Sequence, residues 1–251
     1  MDANATTPVL PEVVEAMQPF WSASFGNASS IHQPGQTARA AVDRARQSVA
    51  HLLSCRPAEI VFTSGGTESD NLALFGVLPQ AAGEPPVHLI TSAIEHEAVL
   101  QAATALAARG VQVTVLPCTR QGIVEPGALK AALRPNTRLV SVMVANNETG
   151  VLQPIRELAD LAHAAGALFH TDAVQAGGKL PLDVAALGCD LLSLSGHKMY
   201  APQGTGILYV RRSVRLNPMV FGGRHERGRR AGTENVPGIV ALGRAADLAR
   251  E

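Results

Sequence analysis

The chain has 251 residues, 46% of them apolar, enough for one large core or two modest domains and too many for a disordered chain. Its 21 Lys and Arg balance its 21 Asp and Glu, which argues against bulk attraction to nucleic acid or to a membrane and favours a small-molecule substrate. The three cysteines, Cys55, Cys118 and Cys189, are odd in number and form no CxxC pair, so neither a disulfide framework nor a zinc site is indicated and a reducing cytoplasm is expected.

In chain order, short β-branched runs alternate with longer Ala/Leu-rich segments of helical period. The start, "MDANATTPVL", has neither the basic nor the apolar region of a secretion signal, and no apolar run approaches the roughly 20 residues of a membrane span. Helices are predicted over Pro11 to Trp21 and over Gln36 to Leu53, where Val42, Ala45, Val49 and Leu52 share one face. A strand over Glu59 to Thr63 and a helix over Thr67 to Leu78 follow, then a strand over Val87 to Thr91 and a helix over His96 to Arg109. The remaining predicted strands are Val111 to Leu116, Arg138 to Ala145, Ala167 to Asp172, Leu191 to Ser195 and Gly206 to Val210. The remaining predicted helices are Pro126 to Leu133, Ile155 to Ala165 and Val236 to Arg250. The strands are apolar throughout rather than alternating, which implies a mainly parallel sheet covered by helices on both faces; an antiparallel member can enter where the last two strands are joined without a helix. In such a sheet, ligands sit beyond the carboxyl ends of the strands.

Those ends carry "TSGGTES", "ANNETG", "HTDAVQ" and "SGHK". In the first, Gly65 and Gly66 permit a tight turn into a helix near Thr67; this is either an ordinary capped helix or an N-terminus whose free N–H groups hold a phosphate. Asp172 ends a buried strand and is either a cap, an ion-pair member or a permanent acceptor for a protonated ring nitrogen. His96, between Glu95 and Glu97 at a helix start, is either a cap or a flat ring that stacks on another and moves protons; without a second His the zincin pattern fails. Lys198 follows Ser195, Gly196 and His197 between two apolar strands. It is either a turn lysine or an amine whose charge burial disfavours, able to form an imine beside an anion-binding Ser and His. Amine, carboxylate, stacking ring and anion-binding turn together meet the requirements of pyridoxal 5'-phosphate.

With the strings "DANATTPV", "FGNASSIH", "VFTSGGTESDN", "EHEAV", "NNETG", "HTDAVQ", "SGHKMYAPQGTG" and "GGRHERGRRAGTEN" in order, the chain resembles, essentially end to end, the cysteine desulfurases of the NifS/IscS group within the class V aminotransferases of fold type I. The resemblance implies that Lys198 carries pyridoxal 5'-phosphate as an imine, that Asp172 pairs with the pyridinium nitrogen, and that His96 stacks on the ring. It further implies that Asn147 and Gln175 contact the substrate side and a ring substituent, that Gly66, Thr67, Ser195 and His197 form the phosphate cradle, and that Thr233 reaches the phosphate of a neighbouring subunit. A homodimer with L-cysteine as substrate is implied, as are sulfur-acceptor partners that build iron–sulfur clusters or thiolated RNA.

One departure matters. The group's persulfide-forming cysteine lies beyond the equivalent of Glu251, and none of the three cysteines stands in its place. The expected organisation is an N-terminal segment over 1–14, a cofactor-binding large domain over 15–235 and, over 236–251, the start of a helix leading to a C-terminal domain largely missing, so that both ends look trimmed and the chain reads as a fragment. The basic stretch "GGRHERGRRAG" lacks an aromatic platform and reads as an anion-facing or dimer loop rather than a nucleic-acid site. Two rival readings are a selenocysteine lyase or aminotransferase of the same family, and an inactive cofactor-binding or dimerisation module.

Overall fold

The structure, a computed structural model, describes residues 2–78 and 85–251. Helix α1 spans Pro11–Met17, with proline at its first turn where no N–H is needed, and tightens into a 3-10 turn over Gln18–Trp21. Helix α2 spans Gln33–Leu52; it starts three residues earlier than its apolar face predicts because the His32 ring accepts a hydrogen bond from Gly35 N–H. Strand β1 (Ile60–Thr63) leads into α3 (Gly66–Val77), β2 (His88–Ser92) into α4 (Glu97–Ala107), and β3 (Gln112–Leu116) into α5 (Pro126–Ala132). Strand β4 (Thr137–Ser141), α6 (Ile155–Ala164), β5 (Leu168–Asp172), the one-turn α7 (Val184–Leu187), β6 (Leu191–Ser195), β7 (Gly206–Val210) and α8 (Val236–Leu248) complete the order.

The seven strands form one sheet in the order β1-β7-β6-β5-β4-β2-β3. Strand β7, entered from β6 without a crossover helix, is antiparallel to both its neighbours, and the pairs among β2, β3, β4, β5 and β6 are parallel. The strand pleat divides the core in two. Ile60, Phe62, Ile207 and Tyr209 face α2 and α8, while Val61, Leu208 and Val210 face α3 and α4. Edge strand β3 departs from the expectation of cover on both faces: among the described residues it ends the sheet, and its Val115 is 50% exposed. Strand β4 is shorter than predicted: after Ser141 the backbone still bonds to β5 through Val142 N–H and Val144 N–H, but then turns away into the "NNETG" loop.

Helix α8 packs against α1 and α2, and its Gly243 sits where a Cβ would lie 2.6 Å from Ala45 Cα. A second close approach sets the site. At Gly206, the first residue of β7, a Cβ would lie 2.6 Å from Gly65 Cα, backbone against backbone with nothing free to rotate away. Gly206→Ala is therefore expected to lower stability by about 3 kcal/mol and to displace the turn before α3; urea unfolding checks this, and an unchanged midpoint contradicts the packing described.

The 222–232 loop is clasped to the body at two points. Glu226 is buried and accepts from the two terminal guanidinium nitrogens of Arg46, at 2.8 and 2.7 Å, and from Phe62 N–H at 3.0 Å. Arg230 Nε donates to Glu68 Oε1 at 2.8 Å, and Glu68 Oε2 accepts from Ser64 N–H at 2.7 Å. The loop thus braces the same turn that Gly206 approaches. Among the described residues, no helix is long and apolar enough to cross a membrane.

Candidate active site

The carboxyl ends of β1, β5 and β6 and the segment after β2 meet around a cavity of about 670 Å3, a size that suits a cofactor-sized ligand. It brings together Gly66, Thr67, His96, Asn147, Asp172, Gln175, Ser195, His197 and Lys198. Thr233 lies outside it, lining a smaller space with Ser64, Thr205 and Gly206 behind the turn.

Lys198 sits in a 3-10 turn that follows β6, Gly196–Lys198. The turn is knitted to the N-terminal "ATT" segment: Thr7 N–H and Oγ1 both donate to His197 C=O, and Thr7 Oγ1 accepts from Tyr200 N–H. Burial, and secondarily the neighbouring Lys179 charge, lowers the Lys198 ammonium pKa against the opposing pull of Asp2 and Asp172. The neutral, nucleophilic form is thereby more accessible than in a free lysine. Its Nζ donates to Asn4 C=O, which also accepts from Gln175 Nε2 at 3.0 Å. The His197 ring is held below its ordinary pKa by burial and then by Lys198, and its Nδ1 is 3.1 Å from Thr6 Oγ1.

Asp172 closes β5 and is buried. Burial pushes its carboxyl pKa up, while Val174 N–H, which donates to Oδ1 at 2.8 Å, and the charges of His96 and Lys198 pull it down. One oxygen is thus engaged by the backbone while the residue still lines the cavity. His96 caps α4 by accepting Ala98 N–H on Nδ1 at 3.1 Å, which makes Nε2 the proton-bearing nitrogen of the neutral ring. His96 thus caps α4 and also lines the cavity. Asn147 is placed by Asn146, whose side chain donates to Ile94 C=O and accepts from Glu148 and Thr149 N–H.

The residue set fits pyridoxal 5'-phosphate by its donor chemistry: an amine, a carboxylate with an oxygen to spare, an imidazole, and the N-terminus of α3 flanked by Ser195 and His197. Sequence reasoning passed over several cavity residues, namely Asp2, Asn4, Asp70, Met143, Glu148 and Val174. Asp70 carried a signal: it shares the apolar stripe of α3 with Leu74 and Val77, where a carboxylate is out of place. None of the three cysteines lines the cavity. Cys55 and Cys118 are half-buried, Cys189 is buried, and burial pushes the Cys55 and Cys189 thiols up to about 12.

The chain is 51% identical over 249 residues to the protein named Cysteine desulfurase IscS of Methanosarcina thermophila, covering 99% of this chain and 61% of that one. It is 54% identical over 255 residues to the protein of that name from Anaeromyxobacter dehalogenans, covering 100% of this chain and 62% of the relative. The chain thus spans about 62% of the length of such curated relatives. Among solved structures, a NifS-like protein superposes with a TM-score of 0.96 at 40% identity, covering 99% of this chain and 68% of that one. A structure described as SspA in complex with cysteine superposes with a TM-score of 0.95 at 43% identity, covering 98% of this chain and 71% of that one. The fold is therefore the fold type I architecture of these pyridoxal-phosphate enzymes, as the motif strings imply. The model of the class-V aminotransferase family matches residues 1–251, and with these relatives it shows that the chain belongs to that family.

Proposed function

We propose that the chain is the cofactor-binding part of a cysteine desulfurase, which removes sulfur from L-cysteine and leaves L-alanine and a persulfide. The observation that carries this reading is the gathering of Lys198, Asp172 and His96 around one cavity at the N-terminus of α3. The named relatives support it.

Lys198, with its charge disfavoured by burial, supplies the amine that holds the cofactor aldehyde and afterwards a base for the substrate's α proton. Asp172 offers its remaining oxygen to a protonated ring nitrogen and so keeps positive charge there. Gly66, Thr67, Ser195 and His197 bind the phosphate, and the clasp from Arg230 to Glu68 stiffens that turn. Bound pyridoxal 5'-phosphate supplies the electron sink for bond changes at the substrate's carbon atoms. His96 stacks on the ring and holds a proton on Nε2 for transfer. Asn147 and Gln175 contact the substrate side and a ring substituent. Sulfur transfer breaks the substrate's Cβ–Sγ bond, forms an S–S bond to an attacking thiolate, and places a proton at Cβ to give alanine. None of Cys55, Cys118 and Cys189 lines the cavity, which supports an attacking thiol other than these three.

A homodimer in which Thr233 reaches the neighbouring subunit's phosphate accords with its place outside the cavity of its own chain. Sulfur acceptors for iron–sulfur cluster assembly or thiolation are the partners this chemistry requires, and three unpaired thiols accord with a reducing cytoplasm. With L-cysteine, pyridoxal 5'-phosphate and dithiothreitol as sulfur acceptor, the protein is expected to form alanine and sulfide in equal amounts. Keto acid without sulfide would instead assign an aminotransferase.

A further inference from the structure

Behind Asp172 lies a group of buried acids that the reaction above does not use. Asp70 on α3 is 1% exposed and lines the cavity beside Asp172, and Glu95, between β2 and α4, is 6% exposed. Each has an oxygen with no hydrogen-bond partner, Asp70 Oδ1 and Glu95 Oε2. Glu95 Oε1 accepts from Ser92 Oγ at 2.5 Å and from Met143 N–H at 3.0 Å. Among the described residues, the one basic group within 4 Å of Asp70 is His170 on β5, whose Nε2 is 3.6 Å away, beyond a hydrogen bond. The fully buried His170 ring is occupied by two hydroxyls instead, Ser141 Oγ at 2.8 Å and Ser193 Oγ at 3.0 Å, a pairing that suits a neutral imidazole. The basic groups that act on Asp172, His96 and Lys198, do so from the cavity side.

Three carboxylates packed together without a buried cation cannot all carry charge. Of the three, Asp172 alone is drawn down by basic groups of the cavity, so it takes the negative charge. We infer that Asp70 is a positioning residue for Asp172: it remains a neutral carboxylic acid, backed by neutral Glu95 and neutral His170, and so confines the cluster's single negative charge to the carboxylate that faces the cofactor. The titration directions agree with the geometry. Burial first, and then Asp172, raises Asp70; burial lifts Glu95 to about 8; and burial lowers His170 to about 3.

This inference rests on the cofactor reading for its purpose but not for its first test. Infrared difference spectra of the full chain against Asp70→Asn at neutral pH, without added cofactor, are expected to show loss of one protonated-carboxyl stretching band. Loss of a carboxylate band instead overturns the inference. With pyridoxal 5'-phosphate carrying 15N in the ring, Asp70→Asn, which replaces one neutral hydrogen-bonding group by another, is expected to keep the pyridinium-type nitrogen shift and a cofactor dissociation constant within about threefold of the unsubstituted protein. Asp70→Leu removes the polar group and is expected to move that shift towards unprotonated pyridine and weaken binding about tenfold. If Asp70→Asn weakens binding more than Asp70→Leu, Asp70 is charged and the inference fails. If the chain takes up no cofactor yet loses the protonated-carboxyl band, the cofactor reading fails and the neutral acid stands.

Discussion

Lys198→Ala is expected to reduce alanine formation from L-cysteine about 10,000-fold, the scale of losing a positioned proton-transfer group together with a covalent anchor. Among the described residues, no other lysine lines the cavity. Lys179 is nearby in charge, but its Nζ is bonded to Gln175 Oε1 at 3.1 Å, and it does not line the cavity. Removal of Lys198 leaves the turn intact, because Thr7 holds that turn through backbone groups of His197 and Tyr200 rather than through the lysine side chain. The variant should therefore unfold at nearly the same urea concentration as the parent. A variant with normal stability and normal turnover would remove Lys198 from the chemistry.

The second large effect is that of Asp172→Ala, expected to weaken pyridoxal 5'-phosphate binding about 100-fold, the loss of one charge-assisted hydrogen bond of about 3 kcal/mol. Asp172 lies at the end of β5 with its backbone in register with Ser193 of β6, so truncation should not disturb the sheet. The sign with pH follows from burial, which raises the Asp172 carboxyl above its ordinary range. As pH falls through that raised value the carboxylate is protonated and its hold on a pyridinium is lost, so cofactor affinity should decline in acid for the parent and be flatter for Asp172→Ala. Equilibrium dialysis across pH measures both. Equal affinities at neutral pH would show that Asp172 does not meet the cofactor.

The strand-end motifs made the cavity legible from the sequence because strand ends must spend their polar residues where the sheet opens, and a sheet of this kind opens on one side. The runs Leu191–Ser195 and Gly206–Val210 read correctly to the residue because polar breaks flank both. Boundaries slipped where the signal was not periodic. Helix α2 begins early because His32 caps it, and β4 ends early because its later residues keep one strand neighbour after losing the other. What sequence could not place were contacts between distant segments: the Asn4 carbonyl against Lys198 and Gln175, Gly206 under Gly65, and the Glu226 clasp on Arg46. Glu226 and Arg227 adopt left-handed backbone angles, φ of 45° and 58°, in a stretch whose sequence reads as a simple basic loop. The buried acids were hidden for a related reason. Asp70 is betrayed only by its place in the apolar stripe of α3, and Glu95, just before α4, looks like an ordinary surface carboxylate until the helices are laid on the sheet and both are found inside.

The most direct measurement is the position of the cofactor itself. Protein loaded with pyridoxal 5'-phosphate, reduced with borohydride and digested should yield the added mass of the reduced cofactor on the peptide containing Lys198, with the Lys179 peptide unmodified. Recovery of that mass on another lysine, or on none, would contradict the assignment of this cavity.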